Sequence, residues 1–297
     1  MQPGDVPTTN EDKLARDATG EIRSDPLPVF DIVATSGWSG VNFTELWTYR
    51  ELLYILVWRD LKVRYRQTLL GAVWVMGQPL LTMLIFTLVF NRIARIDSGQ
   101  IPYPVFVLAG LLPWGFFAAG IQGAANSLIG NANLITKVYF PRLLIPAASV
   151  AAGLIDFIVA GIVLAGMLAW NRIAPSPMLL LLPLVVVLAA GLTLGLGLWL
   201  AALNVKYRDV RVMIPFVLQV WMYATPVVYP QHLLPEPWRS LAFLNPMTGV
   251  VEGFRWCLFG GELPTLALCS TLVFAVLLFA GGVLFFRRME RTFVDVI

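Results

Sequence analysis

The sequence predicts an all-α protein that crosses a membrane several times. Of its 297 residues, 58% are hydrophobic and only 13% are charged, and the mean hydropathy is +0.75. Soluble domains carry about 25% charged residues. Long apolar runs recur along the chain, and a membrane-spanning helix needs about 20 such residues. Composition and run length together indicate a polytopic membrane protein.

Six apolar runs are predicted to form transmembrane helices. They cover residues 70–90, 104–127, 143–170, 178–203, 212–229 and 266–286. We assign residues 69–291 to one transmembrane domain. The polar residues 1–27 are predicted to be a disordered tail, residues 28–68 a cytoplasmic segment and residues 292–297 a cytoplasmic C-terminus.

Lys and Arg residues are distributed unequally between the two ends of the predicted spans. Most of them precede the first span, follow the last one or lie in the loops after the second and fourth spans. Loops rich in Lys and Arg stay in the cytoplasm. Both termini are therefore predicted to be cytoplasmic, which requires an even number of spans.

A charged helix is predicted ahead of the first span. Tyr49, Leu53 and Leu56 recur at helical spacing, but the apolar run is too short and too charged to cross a bilayer. This pattern is typical of an amphipathic helix in the membrane interface. Its cytoplasmic surface is expected to include Trp47, Arg50, Trp58, Arg59 and Lys62.

The segment between the second and third spans is short, amphipathic and basic. Residues 131–146 read NANLITKVYFPRLLIP. Two interpretations are open: a helix on the membrane surface, or a docking surface for a separate soluble protein. The candidate docking residues are Asn133, Leu134, Ile135, Lys137, Val138, Tyr139, Phe140 and Arg142.

Two apolar pieces too short to cross a bilayer lie between the fifth and sixth spans, at residues 238–244 and 246–258. Asn245 followed by Pro246 is typical of a helix start. We predict two half-helices that re-enter the outer leaflet within residues 238–258, where they need protein or a water-lined cavity around them. Two amphipathic helices on the outer surface are the alternative.

Ionisable residues in the apolar regions are few. Asp156 is the one acidic residue well inside a predicted span, and such a group is either functional or paired with a neighbour. Glu252 and Arg255 are three residues apart and can meet on one helix face. They would form a structural pair or line an outer vestibule.

Aromatic residues gather toward the outer half of the predicted bundle. Interfacial belts explain many of them, and aromatic faces also suit the apolar faces of sugar rings. The candidate channel and gate residues are Trp74, Phe86, Phe90, Trp221, Tyr223, Tyr229, Trp238, Asn245, Glu252, Phe254, Arg255 and Trp256.

The sequence contains no G-x-x-x-x-G-K-[ST] motif, so we do not expect this chain to bind ATP through a phosphate loop. It also lacks a coherent hydrolase or metal-ligand pattern. We therefore assign no catalytic, cofactor or metal residues, and expect a conduit whose energy source lies elsewhere.

Four stretches together resemble the membrane subunit of ABC-2-type polysaccharide exporters, the permeases for O-antigen, capsule and teichoic acid. They begin at Glu45, Asn133, Asn204 and Asn245. They read ELWTYRELLYILVWRDLKVRYRQTLLGAVW, NLITKVYFPRLLIP, NVKYRDVR and NPMTGVVEGFRW. Their order and spacing along six predicted spans make the resemblance specific.

The resemblance implies a homodimer in the bacterial inner membrane, bound by two copies of a separate ATPase that holds ATP and Mg²⁺. The loop Asn131–Arg142 would be the coupling helix, seated in a cleft of the ATPase. Spans 1 and 5 would line a channel, and the half-helices would gate it. The substrate would be a lipid-linked polysaccharide, with O-antigen favoured. The cytoplasmic face would also include Lys206, Arg208, Asp209 and Arg211.

Other functions stay open at this point. An ABC-2 exporter of drugs or small lipids shares the six-span plan. A proton-coupled carrier would use Asp156, and a membrane scaffold would have no transport role.

Overall fold

The computed structural model describes residues 47–66, 71–95, 99, 101–207, 209–290 and 293, without the side chains of residues 66 and 71–75. Within these ranges all regular secondary structure is helical, as the sequence predicts. The predicted N-terminal tail lies outside the described residues, and so does the predicted C-terminal segment apart from Phe293.

The chain runs through helices of very different lengths. The α-helices are α1 (Arg50–Arg66), α2 (Gly71–Phe86), α3 (Tyr103–Gly130), α4 (Ala132–Lys137), α5 (Leu144–Trp170), α6 (Leu182–Lys206), α7 (Asp209–Ala224), α8 (Glu236–Ala242), α9 (Pro246–Phe259) and α10 (Thr265–Glu290). A π-helix at Thr87–Ile93 extends α2. Single 3₁₀ turns at Pro177–Leu181 and Gln231–Leu233 precede α6 and α8.

Among the described residues, five helical segments are long and apolar enough to cross a membrane. They are Met76–Ile93, Tyr103–Gly130, Leu144–Trp170, Pro177–Lys206 and Thr265–Glu290. They correspond to the first four and the last of the six predicted spans.

The predicted fifth span, residues 212–229, is only partly helical. α7 has 16 residues and ends at Ala224, and the chain then turns over residues 225–229. α7 is therefore about 24 Å long at 1.5 Å per residue, shorter than the roughly 30 Å hydrocarbon core. Pro226 accounts for the early end, because the residue before a proline disfavours helical backbone.

α3 forms the centre of the helical bundle. In its apolar window 78% of the residues are buried, against 6% in the window Met76–Ile93. α3 packs against α2, α5, α6, α7 and α9. Phe117, Ile121 and Ala124 on α3 are completely buried in the central hydrophobic cluster. α3 therefore forms the core against which these five helices pack.

α10 packs against α6 and α9 at very short range. A Cβ atom at Gly195 of α6 would lie 2.6 Å from the backbone nitrogen of Phe279 in α10. A Cβ atom at Gly249 of α9 would collide with the backbone carbonyl of Ala267. Glycine at these two positions lets the helix backbones approach closely.

α1 packs along the beginning of α5. Leu56 is only 3% exposed and belongs to a hydrophobic cluster that also contains Phe140 and Leu144. Trp47 and Trp58 are exposed. The apolar face that the sequence predicts for this helix is thus packed against protein, while the tryptophans at positions 47 and 58 lie on the surface.

Candidate functional site

The turn at residues 225–229, which follows α7, is held by side chains from two other helices. Arg255 of α9 donates hydrogen bonds to the carbonyl of Pro226, at 2.7 Å, and to the carbonyl of Val227. The hydroxyl of Tyr103, the first residue of α3, donates to the carbonyl of Val228 at 2.6 Å. We call this segment the 225–229 turn.

Arg255 is the most constrained charged residue of this region. It is only 4% exposed, and its Nη1 lies 3.1 Å from Oε1 of Glu252. Its guanidinium carbon stacks 3.7 Å from the centre of the Phe106 ring. Glu252 and Arg255 thus meet as their spacing predicts. The burial of Arg255 favours the structural pair over the vestibule lining.

Asn245 ties the beginning of α9 to the end of α7. Its Oδ1 accepts hydrogen bonds from the backbone nitrogen of Met247, at 3.1 Å, and from Nε1 of Trp221, at 2.9 Å. Its Nδ2 donates to Oγ1 of Thr225 at 2.8 Å. Asn245 is therefore the N-cap that the sequence predicts, and Pro246 is the first helical residue. The contacts with α7 could not be read from local sequence.

Several of the candidate gate aromatics are packed inside the protein. Phe254 is 3% exposed and meets the ring of Phe157 at 5.7 Å between centroids. Trp221 lies 5.3 Å from Phe117, edge to face. Phe86 and Phe90 are partly buried and pack against the same central cluster. These rings stabilise the bundle.

Other gate candidates are more accessible. Tyr223 is 48% and Trp238 is 63% exposed. Tyr229 is partly buried and its hydroxyl donates to the carbonyl of Tyr223 at 3.0 Å. Trp256 donates to a backbone carbonyl at 3.3 Å. The side chain of Trp74 lies outside the described part of the chain.

The predicted docking segment folds as a short helix, α4, followed by an extended stretch that leads into α5. We call residues 131–143 the docking loop. Ile135 and Phe140 are each 4% exposed and point into the cluster shared with α1, α5, α6 and α10. Leu134 packs partly against the same cluster. Arg142 donates to the backbone carbonyl of Glu290.

The outer surface of the docking loop is formed by the other half of the predicted set. Asn133 and Lys137 are exposed, Val138 is 52% exposed and Tyr139 is 70% exposed. The eight predicted residues thus fall into two groups of four. One group attaches the docking loop to the rest of the protein, and the other lies on its surface. Local sequence did not separate Tyr139 from its neighbour Phe140, which faces the opposite way.

The predicted cytoplasmic residues are mostly exposed and make short-range contacts. Arg50 lies over the ring of Trp47, Arg59 pairs with its neighbour Asp60 at 2.8 Å, and Lys206 lies over the ring of Tyr207. Exposed residues without such a contact in the described ranges are Trp58, Lys62, Asp209 and Arg211. Arg208 lies outside the described residues.

Asp156 is paired with two residues of α1. Its carboxylate forms an ion pair with Arg64 and accepts a hydrogen bond from the hydroxyl of Tyr65. Asp156 is twelve residues after Leu144, about 18 Å along α5. The paired interpretation of Asp156 agrees with this geometry. The two partners lie about 90 residues earlier in the chain, so no sequence pattern around Asp156 predicts them.

The sequence model of the ABC-2 type transporter family matches residues 51–259. This range runs from α1 to the end of α9, so it includes the docking loop, Asp156 and the 225–229 turn.

Named relatives align with this chain over most of their length. The chain is 36% identical to an O-antigen export system permease protein RfbA of Myxococcus xanthus over 254 residues, which is 83% of this chain and 96% of the relative. A protein of the same name from Klebsiella pneumoniae is 28% identical over 83% of this chain and 95% of the relative. The polysialic acid transport protein KpsM of Escherichia coli is 25% identical over 78% of this chain and 91% of the relative. With more than half of its length matched by the family, this chain belongs to the ABC-2 type transporters.

Proposed function

We propose that this chain is the membrane-spanning subunit of an ATP-driven exporter that moves a lipid-linked polysaccharide, O-antigen first of all, across the bacterial inner membrane. The observation that carries the proposal is the 36% identity with an O-antigen export permease over 83% of this chain. Similarity to a polysialic acid transport protein makes capsule polymers the second candidate substrate. Such polymers need a protein path, because hydrocarbon offers their hydroxyls no hydrogen bonds.

In this proposal α7 is the fifth of six spans and both termini are cytoplasmic. The 225–229 turn then lies at membrane depth, and α8 and α9 re-enter the outer leaflet. Irregular backbone is tolerated at that depth only when its polar groups are satisfied within the protein. The hydrogen bonds from Arg255 and Tyr103 to three consecutive carbonyls of the turn support this arrangement. α1 begins at the cytoplasmic interface, with Trp47 and Trp58 at headgroup depth, and Arg64 and Tyr65 near its end reach Asp156 of α5.

Two copies of this chain would work with two copies of a separate ATPase. ATP and Mg²⁺ bind to the ATPase, whose closure moves the docking loops. The exposed ring of Tyr139 offers a contact for the ATPase, and the buried side chains of Ile135 and Phe140 join the loop to α5, α6 and α10. Movement of the docking loop would thus reach the spans. α2 and α7 of both copies would shift and open the channel between them.

Co-purification tests this function directly. We expect a stoichiometric ATPase subunit to purify with this chain in detergent, and its turnover to change when the chain is present. Mass spectrometry identifies the partner. The control is the ATPase purified without this chain. Isolation of this chain alone, from cells that export the polymer, would contradict an ATP-driven exporter.

Asp156→Asn separates this function from a proton-coupled carrier. A carrier that used this carboxylate would lose transport completely. In the proposed exporter the carboxylate only holds Arg64 and Tyr65. Asn retains hydrogen-bonding capacity, so we expect export to fall no more than about fivefold, as for a partly exposed ion pair worth at most about 1 kcal/mol. Surface polymer per copy of membrane-inserted chain is the measurement, and complete loss at normal insertion would favour the carrier.

A further inference from the structure

A cavity of about 370 Å³ lies between α2, α3 and α5. Its lining includes Gln78 and Thr82 of α2, Gln122 of α3 and Asp156 of α5. We call it the polar cavity. A second cavity, of about 480 Å³ between α5, α6 and α9, is lined only by apolar residues among those described, and we call it the apolar cavity. Small-molecule sites measure roughly 300–1,000 Å³, so both are large enough for a ligand.

The two glutamines of the polar cavity have unused hydrogen-bonding groups. Only their backbone carbonyls accept hydrogen bonds, from Thr82 and Asn126 respectively. Their side-chain amides have no partner within the described ranges. Both residues lie inside apolar segments able to cross a membrane. In the chain alone Gln78 is exposed and Gln122 is partly buried. Within a membrane an unpaired amide is costly, so there these groups call for water or a polar ligand.

The charge of the cavity favours a neutral ligand. Asp156 is the charged residue of its described lining, and Arg64 already pairs with this carboxylate. A bound cation would have to displace Arg64, and a bound anion would be repelled by Asp156. Hydrogen-bonding groups without a net charge remain, and hydroxyl groups match them because they both donate and accept.

The remaining walls of the polar cavity include aromatic rings. Trp114, Phe116 and Phe157 contribute to the lining. A sugar residue has an apolar ring face and hydroxyl groups at its edge, so it fits an aromatic wall opposite amide groups. A lipid chain would leave the amides unpaired and fits the apolar cavity better.

We propose that the polar cavity binds one sugar residue of the exported polymer, with hydroxyls bonded to Gln78 and Gln122 and the sugar ring against the aromatic wall. This inference rests on the proposed function. Gln122 is eight residues before the end of α3, about 12 Å from the docking loop. The site would therefore hold the polymer in the cytoplasmic half of its path. Its neutral hydrogen bonds are weak enough to release each sugar as the polymer moves on.

Two glycines allow the cavities to be filled selectively. Gly115 lines the polar cavity and Gly161 lines the apolar cavity, and a Cβ atom at either position would have nothing within 4 Å. We expect Gly115→Phe to lower export at least about tenfold with normal membrane insertion, whereas Gly161→Phe should change it less than about twofold. The measurement is surface polymer per inserted chain. Wild-type export from Gly115→Phe, or equal loss from both variants, would overturn the assignment.

A second pair of variants tests the hydrogen bonds to the glutamine side chains. It also tests the sugar site if Gly115→Phe fails to insert into the membrane. The double variant Gln78→Leu/Gln122→Leu removes both amides at similar volume, and we expect export to fall about tenfold, as for two lost neutral hydrogen bonds. Gln78→Asn/Gln122→Asn retains the amides and should recover most of it. Equal export by the two double variants would exclude a sugar site here. Absence of polymer export by the wild-type chain would instead refute the proposed function.

Discussion

Replacing Arg255 by methionine is expected to reduce the stability of the protein by about 3–5 kcal/mol, the usual cost of breaking a buried ion pair. The substitution leaves the carbonyls of Pro226 and Val227 without their side-chain donor and Glu252 without its partner. Methionine fills much of the volume but donates no hydrogen bond. The midpoint of thermal unfolding in detergent and the amount of inserted chain are the measurements.

A matched control exists on α8. Arg239 pairs with Glu236 at the same i,i+3 spacing, but the two side chains are 37% and 83% exposed. Exposed pairs contribute roughly 0–1 kcal/mol, so Arg239→Met should unfold close to the wild-type temperature. Arg255→Lys should be intermediate, because an ammonium group cannot reproduce the planar fork of arginine. Equal unfolding temperatures for Arg255→Met and Arg239→Met would show that the buried network does not hold this region together.

Replacing Tyr139 by alanine is expected to disconnect the ATPase while leaving the fold intact. The ring is 70% exposed on the docking loop, so its removal creates no cavity in this chain. Aromatic residues at the centre of an interface commonly contribute 2 kcal/mol or more, which corresponds to about 30-fold weaker ATPase binding. The fraction of ATPase that co-purifies with the chain, and surface polymer per inserted chain, measure the loss.

Two other aromatic residues provide the controls for Tyr139. Tyr54 of α1 is 69% exposed, so Tyr54→Ala removes the same side chain at the same exposure away from the docking loop and should keep ATPase binding. Phe140→Ala should instead lower the stability of the chain by about 3–5 kcal/mol, since Phe140 is 4% exposed. If Tyr139→Ala bound the ATPase as tightly as the wild-type chain, Tyr139 would not belong to the docking surface.

Features set by neighbours in sequence could be predicted well. The helix start at Asn245 and Pro246 follows from local capping, and the pairing of Glu252 with Arg255 follows from helical spacing. The third predicted span, residues 143–170, nearly coincides with α5. The exception among these local features is the end of α7. The continuous hydrophobicity of residues 212–229 predicted a longer helix than the proline at position 226 allows.

Features set by tertiary contacts could not be predicted. Val138 and Tyr139 are exposed but Phe140 is buried, because the chain leaves α4 in an extended conformation whose side chains do not follow helical spacing. The partners of Asp156 come from α1. Nothing near Tyr103 in the sequence indicates its hydrogen bond to Val228. Each of these contacts joins residues far apart in the chain.

The close approaches of α10 to α6 and α9 determine where this protein can deform. Backbones in direct contact, as at Gly195 and Gly249, leave no compliant layer of side chains that could absorb a displacement. α6, α9 and α10 are therefore expected to move together as one rigid unit. α7, in contrast, buries only Ile214 and Leu218 along its length and is pinned at one end through Asn245. In the proposed arrangement we therefore expect α7 to tilt more readily than the other spans, about its pinned end.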